Sequence, residues 1–384
     1  MKKTTLINLN IAILLLLIAI PVIFPCKIET VYAVDTSAKA MCVMEKDSKR
    51  VIYSKNMDAS LPMASTTKIV TAITVIQNCK DLEEYVQIDD SAVGVEGSSI
   101  YLRKGETMRV KDLLYGLMLR SGNDSAVALA CYLSGNVTKF AQLMNETATK
   151  LGCKNSHFDN PHGLDSATHY TSAYDLALIT SYALNNPIFA QIVSTKTHVV
   201  EATNKTDKRY FTNKNKLLST LNGCTGVKTG YTKKAGRCLV SSCKRENTEY
   251  VCVVLNCGPM FEESCELLNY ALKNYKNIKI IDKNREIYNE YLTNSNNNRL
   301  YLYANQDFYY PLTDEEKSNV IIKYSINVKQ ANQGEQVGEI NIFFKNDLIK
   351  TLKLYTMNKI DKLIESNELN SSSILWEEKL NEDK

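Results

Sequence analysis

The sequence carries one tryptophan, four histidines and no Cys-x-x-Cys pair. Zinc sites are assembled from closely spaced cysteines and histidines, so this scarcity argues against a structural metal centre. Charge of one sign is equally scarce. The net charge is +4 over 384 residues, and no basic tract interleaved with aromatics occurs, which argues against nucleic acid as a partner. A long apolar run is also lacking, which leaves an uncleaved N-terminal anchor as the weaker alternative. The apolar run from Ile11 to Phe24 is short for a span and contains Pro21.

That run has another reading. Lys2 and Lys3 precede it, and Val31-Tyr32-Ala33 follows a polar stretch. Charged, then apolar, then small residues is the order of a secretory signal, expected here over residues 1–33 with cleavage after Ala33. Cys26 does not turn it into a lipoprotein signal, because Val22-Ile23-Phe24-Pro25 lacks the small residue a lipobox needs. Cleavage leaves ten of the eleven cysteines. An exported chain can pair them, but their spacing is irregular for a disulfide framework, and buried free thiols fit as well. A hydrophobic share of 44% and a charged share of 23% suit a globular protein of two domains.

The stretch around which the chain is organised is Ala64-Ser65-Thr66-Thr67-Lys68. Ser65 opens the apolar run Ile69 to Ile76, expected to be a buried helix. A serine at a helix start lies in the positive field of its N-terminus, and a lysine three residues on shares its face. A hydroxyl then has an amine beside it, useful as a base once burial and positive neighbours lower its pKa. Alone, the pattern fits an ordinary N-cap at least as well. Ser241 to Lys244 repeats it inside a stretch that reads as strand.

Along the chain, Ala40–Met44 and Arg50–Tyr53 read as a hairpin. Val110 to Leu119 has helical periodicity and stops at Arg120-Ser121-Gly122-Asn123-Asp124; a second helix, Ser125 to Leu133, follows. Ser121 and Asn123 are thus expected on a tight interhelical turn facing a cleft, although Ser-Gly-Asn is also common turn chemistry and recurs at Ser134. Helices are expected over Thr138–Leu151 and Ser172–Leu184. The loop Asn155–Asp165 between them holds His157 and His162, read as loop-bracing hydrogen bonders. Val227-Lys228-Thr229-Gly230-Tyr231-Thr232 is a strand with a glycine that permits close approach. Cys238–Ser242 and Tyr250–Leu255 read as antiparallel strands, and Phe261–Asn274 as a closing helix. The expected fold is α/β (α+β): one antiparallel sheet covered by helices over 34–275. Short strands at Glu286–Tyr288, Arg299–Tyr303, Val320–Tyr324 and Glu339–Phe343 predict a small all-β domain over 276–356. An acidic, weakly amphipathic tail, 357–384, remains.

Ser65-Thr66-Thr67-Lys68, Ser121-Gly122-Asn123 and Lys228-Thr229-Gly230, in that order, resemble the penicillin-binding serine acyl-transferases. His157-Phe158, Pro161-His162-Gly163-Leu164-Asp165 and Tyr170 to Ala177 narrow the resemblance to the low-molecular-mass D-alanyl-D-alanine carboxypeptidases, peptidase family S11. It covers about Ala40 to Asn274, and the β-rich part is similar to that family's C-terminal domain. The resemblance implies a β-lactamase/transpeptidase-like fold and an exported enzyme without a cofactor. It implies peptidoglycan stem peptides as substrates and β-lactams as covalent ligands. Ser65 would be the acylated nucleophile, Lys68 its proton acceptor and Ser121 a relay to the leaving amine. Asn123 would hold Lys68 and the peptide. Lys228 and Thr229 would receive the terminal carboxylate, Gly230 would lie against the bound substrate, and the backbone N–H groups of Ser65 and Tyr231 would hold the oxyanion. The tail sits where that family carries a membrane-surface helix, implying peripheral membrane contact, but its acidic balance opposes anionic lipid.

One further departure and two rival readings remain. Gly258-Pro259-Met260-Phe261-Glu262-Glu263 lacks the arginine such enzymes often carry before the last helix, leaving Arg237 as the candidate second carboxylate anchor. A β-lactamase would need a deacylating glutamate, and Glu266-Leu267-Leu268-Asn269 resembles that motif but follows Lys228. A non-catalytic penicillin-sensing protein would be expected to lack Ser65 or Lys68.

Overall fold

The computed structural model describes residues 36–283, 285–291, 299–326, 330–359 and 373–375. The signal reading of 1–33 and most of the tail lie outside them.

The first strands, β1 (Ala40–Glu45) and β2 (Val51–Lys55), form the expected hairpin across a polar turn. Two short ribbons follow, β3 (Tyr85–Gln87) with β4 (Thr107–Arg109) and β5 (Thr197–Val200) with β6 (Arg209–Thr212). Then come β7 (Cys224–Thr232), β8 (Gly236–Arg245) and β9 (Thr248–Leu255). The main sheet is five-stranded and antiparallel in the order β2-β1-β9-β8-β7, so β7 is a free edge. All eight residues of β9 are buried, which requires cover on both faces. Helices Ala173–Ala183 and Pro187–Ser194 cover one side and Met260–Asn274 packs on β8 and β9.

Helix Lys68–Asn78 is buried along nearly its whole length, as its near-continuous apolar run requires. Helices Asn123–Ser134 and Val137–Lys150 pack on it. The expected helix Val110–Leu119 is α-helical only over Val110–Tyr115 and then widens into a π turn, Gly116–Arg120. Ser121 follows at φ +64 and Gly122 completes the corner. Asn123 is therefore the first helical residue and not part of the turn, because Gly122 alone completes the reversal.

Beyond Lys276, β10 (Lys276–Ile281) pairs β13 (Phe308–Leu312). The six-stranded sheet runs β11-β12-β16-β15-β14-β17, with β11 (Tyr288–Tyr291), β12 (Arg299–Ala304), β14 (Val320–Ile326), β15 (Gln336–Phe344), β16 (Asp347–Thr356) and β17 (Ser373–Leu375). Strand β17 pairs β14, so this part of the tail is strand. The β part has its own apolar core, including Leu300, Leu302, Ile322, Ile340 and Leu354, distinct from the core between Ala40 and Leu255. Arg50 joins the two. Its guanidinium donates to Pro311 O and to Glu316 Oε1 (2.7 Å) and lies over Phe344 at 4.5 Å and Tyr310 at 5.1 Å. Among the described residues every cysteine is a free thiol.

Candidate active site

The nucleophile candidate sits in a short 3-10 turn, Ala64–Thr67, that runs directly into helix Lys68–Asn78. Ala64 takes a left-handed φ of +50, a sparsely populated conformation that recurs where a structure fixes a functional residue. Ser65 is half-buried and Lys68 fully buried. The Lys68 Nζ lies 3.0 Å from Ser65 Oγ, 2.7 Å from Asn123 Oδ1 and 2.5 Å from the His162 carbonyl. Burial is the main force lowering the Lys68 pKa far below its ordinary value, and the charges of Lys228 and Lys214 add to it.

Lys68 Nζ donates in all three contacts, which suits an ammonium, and the same three partners also accommodate the neutral amine that its lowered pKa favours. A neutral amine offers two N–H donors and one lone pair. Asn123 Oδ1 and the His162 carbonyl can only accept, while the Ser65 hydroxyl can donate. A lone pair freed by loss of a proton from Lys68 would therefore face the serine. Asn123 is held in turn: its Nδ2 donates to Glu96 O (2.6 Å) and its backbone N–H to Ser98 O (2.7 Å). Gly97 lies between those carbonyls at φ +94, and a Cβ there would come within 2.7 Å of Asn123 Nδ2.

Strand β7 closes the other wall. Lys228 is buried, and burial together with Lys214 lowers its pKa to about 7. Gly230 passes so close to the Ser65 turn that a Cβ would stand 3.0 Å from Ser65 N and from Met63 O, and 3.1 Å from Thr66 N. The glycine thus brings the backbone of the free edge strand against the nucleophile's own amide. Tyr231 follows, exposed, with its side chain turned to solvent. The three motifs, remote in sequence, meet here.

The remaining residues singled out in the sequence lie as follows. Arg237 pairs in register with Tyr231, whereas Lys228 pairs with Val240, and the cation beside Lys228 is Lys214. His162 contributes its backbone carbonyl to Lys68. Its half-buried ring braces the loop as expected, accepting from Leu164 N at Nδ1 (3.2 Å), and desolvation first, then Lys68 and His169, lowers its pKa to about 3. Ser241 is a buried strand residue, as its β-branched and apolar neighbours indicated. Glu266 is exposed on the helix that packs on β8 and β9, and Asn269 of that motif accepts from Arg245 (2.7 Å).

Three supporting residues escaped sequence reading. Asp124 is buried and accepts from Ser99 Oγ (2.5 Å) and from the amides of Ile100, Leu102 and Ser125, fixing the loop that carries Ser98. Its place after Ser-Gly-Asn at a helix start was the available signal. His169 Nδ1 accepts from Asp159 N (3.0 Å), which leaves Nε2–H to donate to Thr67 Oγ1 (2.9 Å). Lys214 had no local signal.

Comparison with known proteins agrees with this geometry. Residues 27–258 match the family model described as D-alanyl-D-alanine carboxypeptidase, and residues 275–362 match the model for the C-terminal domain of penicillin-binding protein 5. The D-alanyl-D-alanine carboxypeptidase DacF of Bacillus subtilis is 33% identical over 258 residues, 65% of this chain and 66% of that one. The crystal structure of penicillin binding protein 5 from Haemophilus influenzae superposes with a TM-score of 0.72 at 28% identity, covering 85% of this chain and 98% of that one. The Streptomyces K15 DD-transpeptidase gives a TM-score of 0.59 at 31% identity, covering 62% of this chain and 98% of that one.

Proposed function

The chain belongs to the D-alanyl-D-alanine carboxypeptidase family, and from that premise we propose that it is a serine-type enzyme releasing the terminal D-alanine of peptidoglycan pentapeptides through an ester on Ser65. The observation that carries the serine mechanism is the fully buried Lys68 amine, its pKa lowered by that burial, 3.0 Å from Ser65 Oγ.

In this reading the stem peptide lies along the free edge of β7, and Ser65 Oγ attacks the penultimate carbonyl as its proton passes to Lys68. The amides of Ser65 and Tyr231 stabilise the oxyanion; one such donor is typically worth about 10²–10³ in rate. Ser121 relays a proton to the leaving amine, and Lys228 with Thr229 holds the leaving carboxylate. Water then cleaves the ester, giving a tetrapeptide and free D-alanine. A β-lactam forms the same ester. Glu266 stands on the helix behind the sheet, so no glutamate at that motif assists its hydrolysis, and the penicilloyl ester is long-lived.

We take 34–275 as the catalytic domain and 276–356 as the β domain. Export through the segment 1–33 would place the enzyme at the wall outside the membrane, and 357–384 is the segment assigned to any peripheral membrane contact. One relative bears the name DD-transpeptidase, so the fate of the ester needs its own test. Incubating the protein with sacculi should yield D-alanine and tetrapeptides. If newly cross-linked dimers dominate by mass spectrometry, transpeptidation replaces hydrolysis.

A further inference from the structure

The turn that carries Ser65 is held from behind by groups to which the reaction above gives no part. A trans peptide points its N–H and its C=O in opposite directions, and the unit joining Ala64 to Ser65 shows both ends. Its N–H side faces the edge of β7, where a Cβ on Gly230 would stand 3.0 Å from Ser65 N. Its carbonyl faces the loop that holds His162. There Gly163, at φ +89, lies so close that a Cβ would overlap Ala64 O. Whatever fixes that carbonyl also aims the Ser65 N–H.

Thr67 Oγ1 donates to Ala64 O at 2.8 Å. Behind Thr67 stands the buried ring of His169, edge-on to Phe158 with centroids 5.9 Å apart. Asp159 N can only donate, so His169 Nδ1 accepts from it (3.0 Å). The proton of a neutral ring is then on Nε2, 2.9 Å from Thr67 Oγ1. Burial keeps the ring neutral, with a pKa lowered to about 4. Each bond in the chain therefore has one direction: Asp159 N–H to His169, His169 Nε2–H to Thr67, Thr67 O–H to Ala64 O. With its lone pair occupied by the imidazole, the Thr67 hydroxyl keeps its own proton on the Ala64 carbonyl. Ala64 needs that hold, since φ +50 is sparsely populated for an alanine.

We propose that His169 is a positioning residue for acylation: it locks the Thr67 hydroxyl onto the Ala64 carbonyl and so preorganises the Ser65 N–H as an oxyanion donor. This rests on the serine-acylation reading and adds a residue to it.

The test measures, on the full chain, the acylation rate constant and the dissociation constant for benzylpenicillin separately. Two substitutions divide the two bonds of the ring. His169→Asn keeps an acceptor near Nδ1 and has nothing at Nε2, whereas His169→Gln carries an N–H to the Nε2 position and gives up the Nδ1 acceptor. His169→Asn should lose about tenfold in the acylation rate constant, a part of what one oxyanion donor is worth, with the dissociation constant within about twofold. His169→Gln should stay within about threefold of the wild type in both. A histidine that merely braced its loop would give the reverse order. His169→Leu, of similar volume and without either bond, repeats the loss and serves if the smaller asparagine leaves the fold unstable. Thr67→Val should lose at least as much as His169→Asn, and the double variant no more than Thr67→Val alone, because the histidine acts through that hydroxyl. Wild-type acylation in His169→Asn, the reverse order of the Asn and Gln variants, or losses that multiply in the double variant overturn the proposal. A wild type that is not acylated on Ser65 overturns the serine reading itself, and the positioning role with it.

Discussion

The catalytic part and the β part are both well-packed, but they bury different things. Between Ala40 and Leu255 the interior takes in Lys68, Glu106, Asp124, Asp175 and Lys228. From Lys276 onward, Thr356 is the one buried polar or charged residue among those described. Burying a charge is costly unless it is paired or put to use. The acidic groups of the catalytic part are paired: Glu106 receives a two-pronged contact from Arg209, and Asp175 accepts from Asn155 N (2.6 Å) and Ser156 Oγ (2.8 Å). Lys228 has no carboxylate partner among the described residues, and Lys68 makes no contact with one, feeling Asp124 only at a distance, behind the opposing charges of Lys228 and Lys214. Among its described residues the β part packs without any such group, and on the proposed mechanism these two lysines are the ones put to use.

The largest effect should come from removing the base while keeping its charge. Lys68→Arg cannot give up a proton at working pH, and acylation by penicillin should fall by about 10³-fold, within the usual worth of a general base. Near-normal acylation would reduce Lys68 to a buried charge and erase the contrast between the two parts. Next is Gly230→Ala. The added methyl meets the Ser65 and Thr66 amides, displacing the oxyanion donors, and acylation should drop by about 10²-fold with the fold retained.

The lysines also predict a bell-shaped pH profile for kcat/KM. Activity needs neutral Lys68, so it is lost as pH falls through the lowered pKa of that residue. It needs charged Lys228, so it is lost as pH rises through about 7. Lys228→Arg should keep its charge at high pH and remove the alkaline limb; a limb unchanged in this variant would detach it from Lys228.

The smallest catalytic effect should come from the joint between the parts. Arg50→Ala removes the contacts to Pro311 and Glu316 and leaves the aromatic cage of Tyr310 and Phe344 empty. Stability should fall by about 1–3 kcal/mol in denaturant unfolding, the cost of orphaning a partly buried charge partner. The acylation rate should stay within about twofold, since a domain joint carries no reacting group. A large loss of rate would show that the β part shapes the site.

How far the sequence could be read follows the same division. Motif residues were legible because their chemistry fixes both type and order: Ser65 with Lys68, Ser121 with Asn123, Lys228 with Gly230. The hairpin of β1 and β2 and the β8–β9 pair were legible from alternation and polar turns. The π turn was not, since its apolar spacing is that of any buried helix. Strand β13 was hidden by Pro311, and β16 by its many exposed polar residues. The helix Pro187–Ser194 and the β5–β6 ribbon were also passed over. The supporting shell was least legible. Lys214 is one of 46 lysines and arginines, and only the fold brings it to Lys68.

The central claim is that the catalytic part holds one activated serine, Ser65. Incubating the protein with benzylpenicillin, digesting it and locating the adduct by mass spectrometry tests this directly. The account predicts a single stable adduct on the peptide containing Ser65, absent from Ser65→Ala, whose unfolding transition is unchanged. An adduct on any other residue, or one that persists in Ser65→Ala, would contradict it.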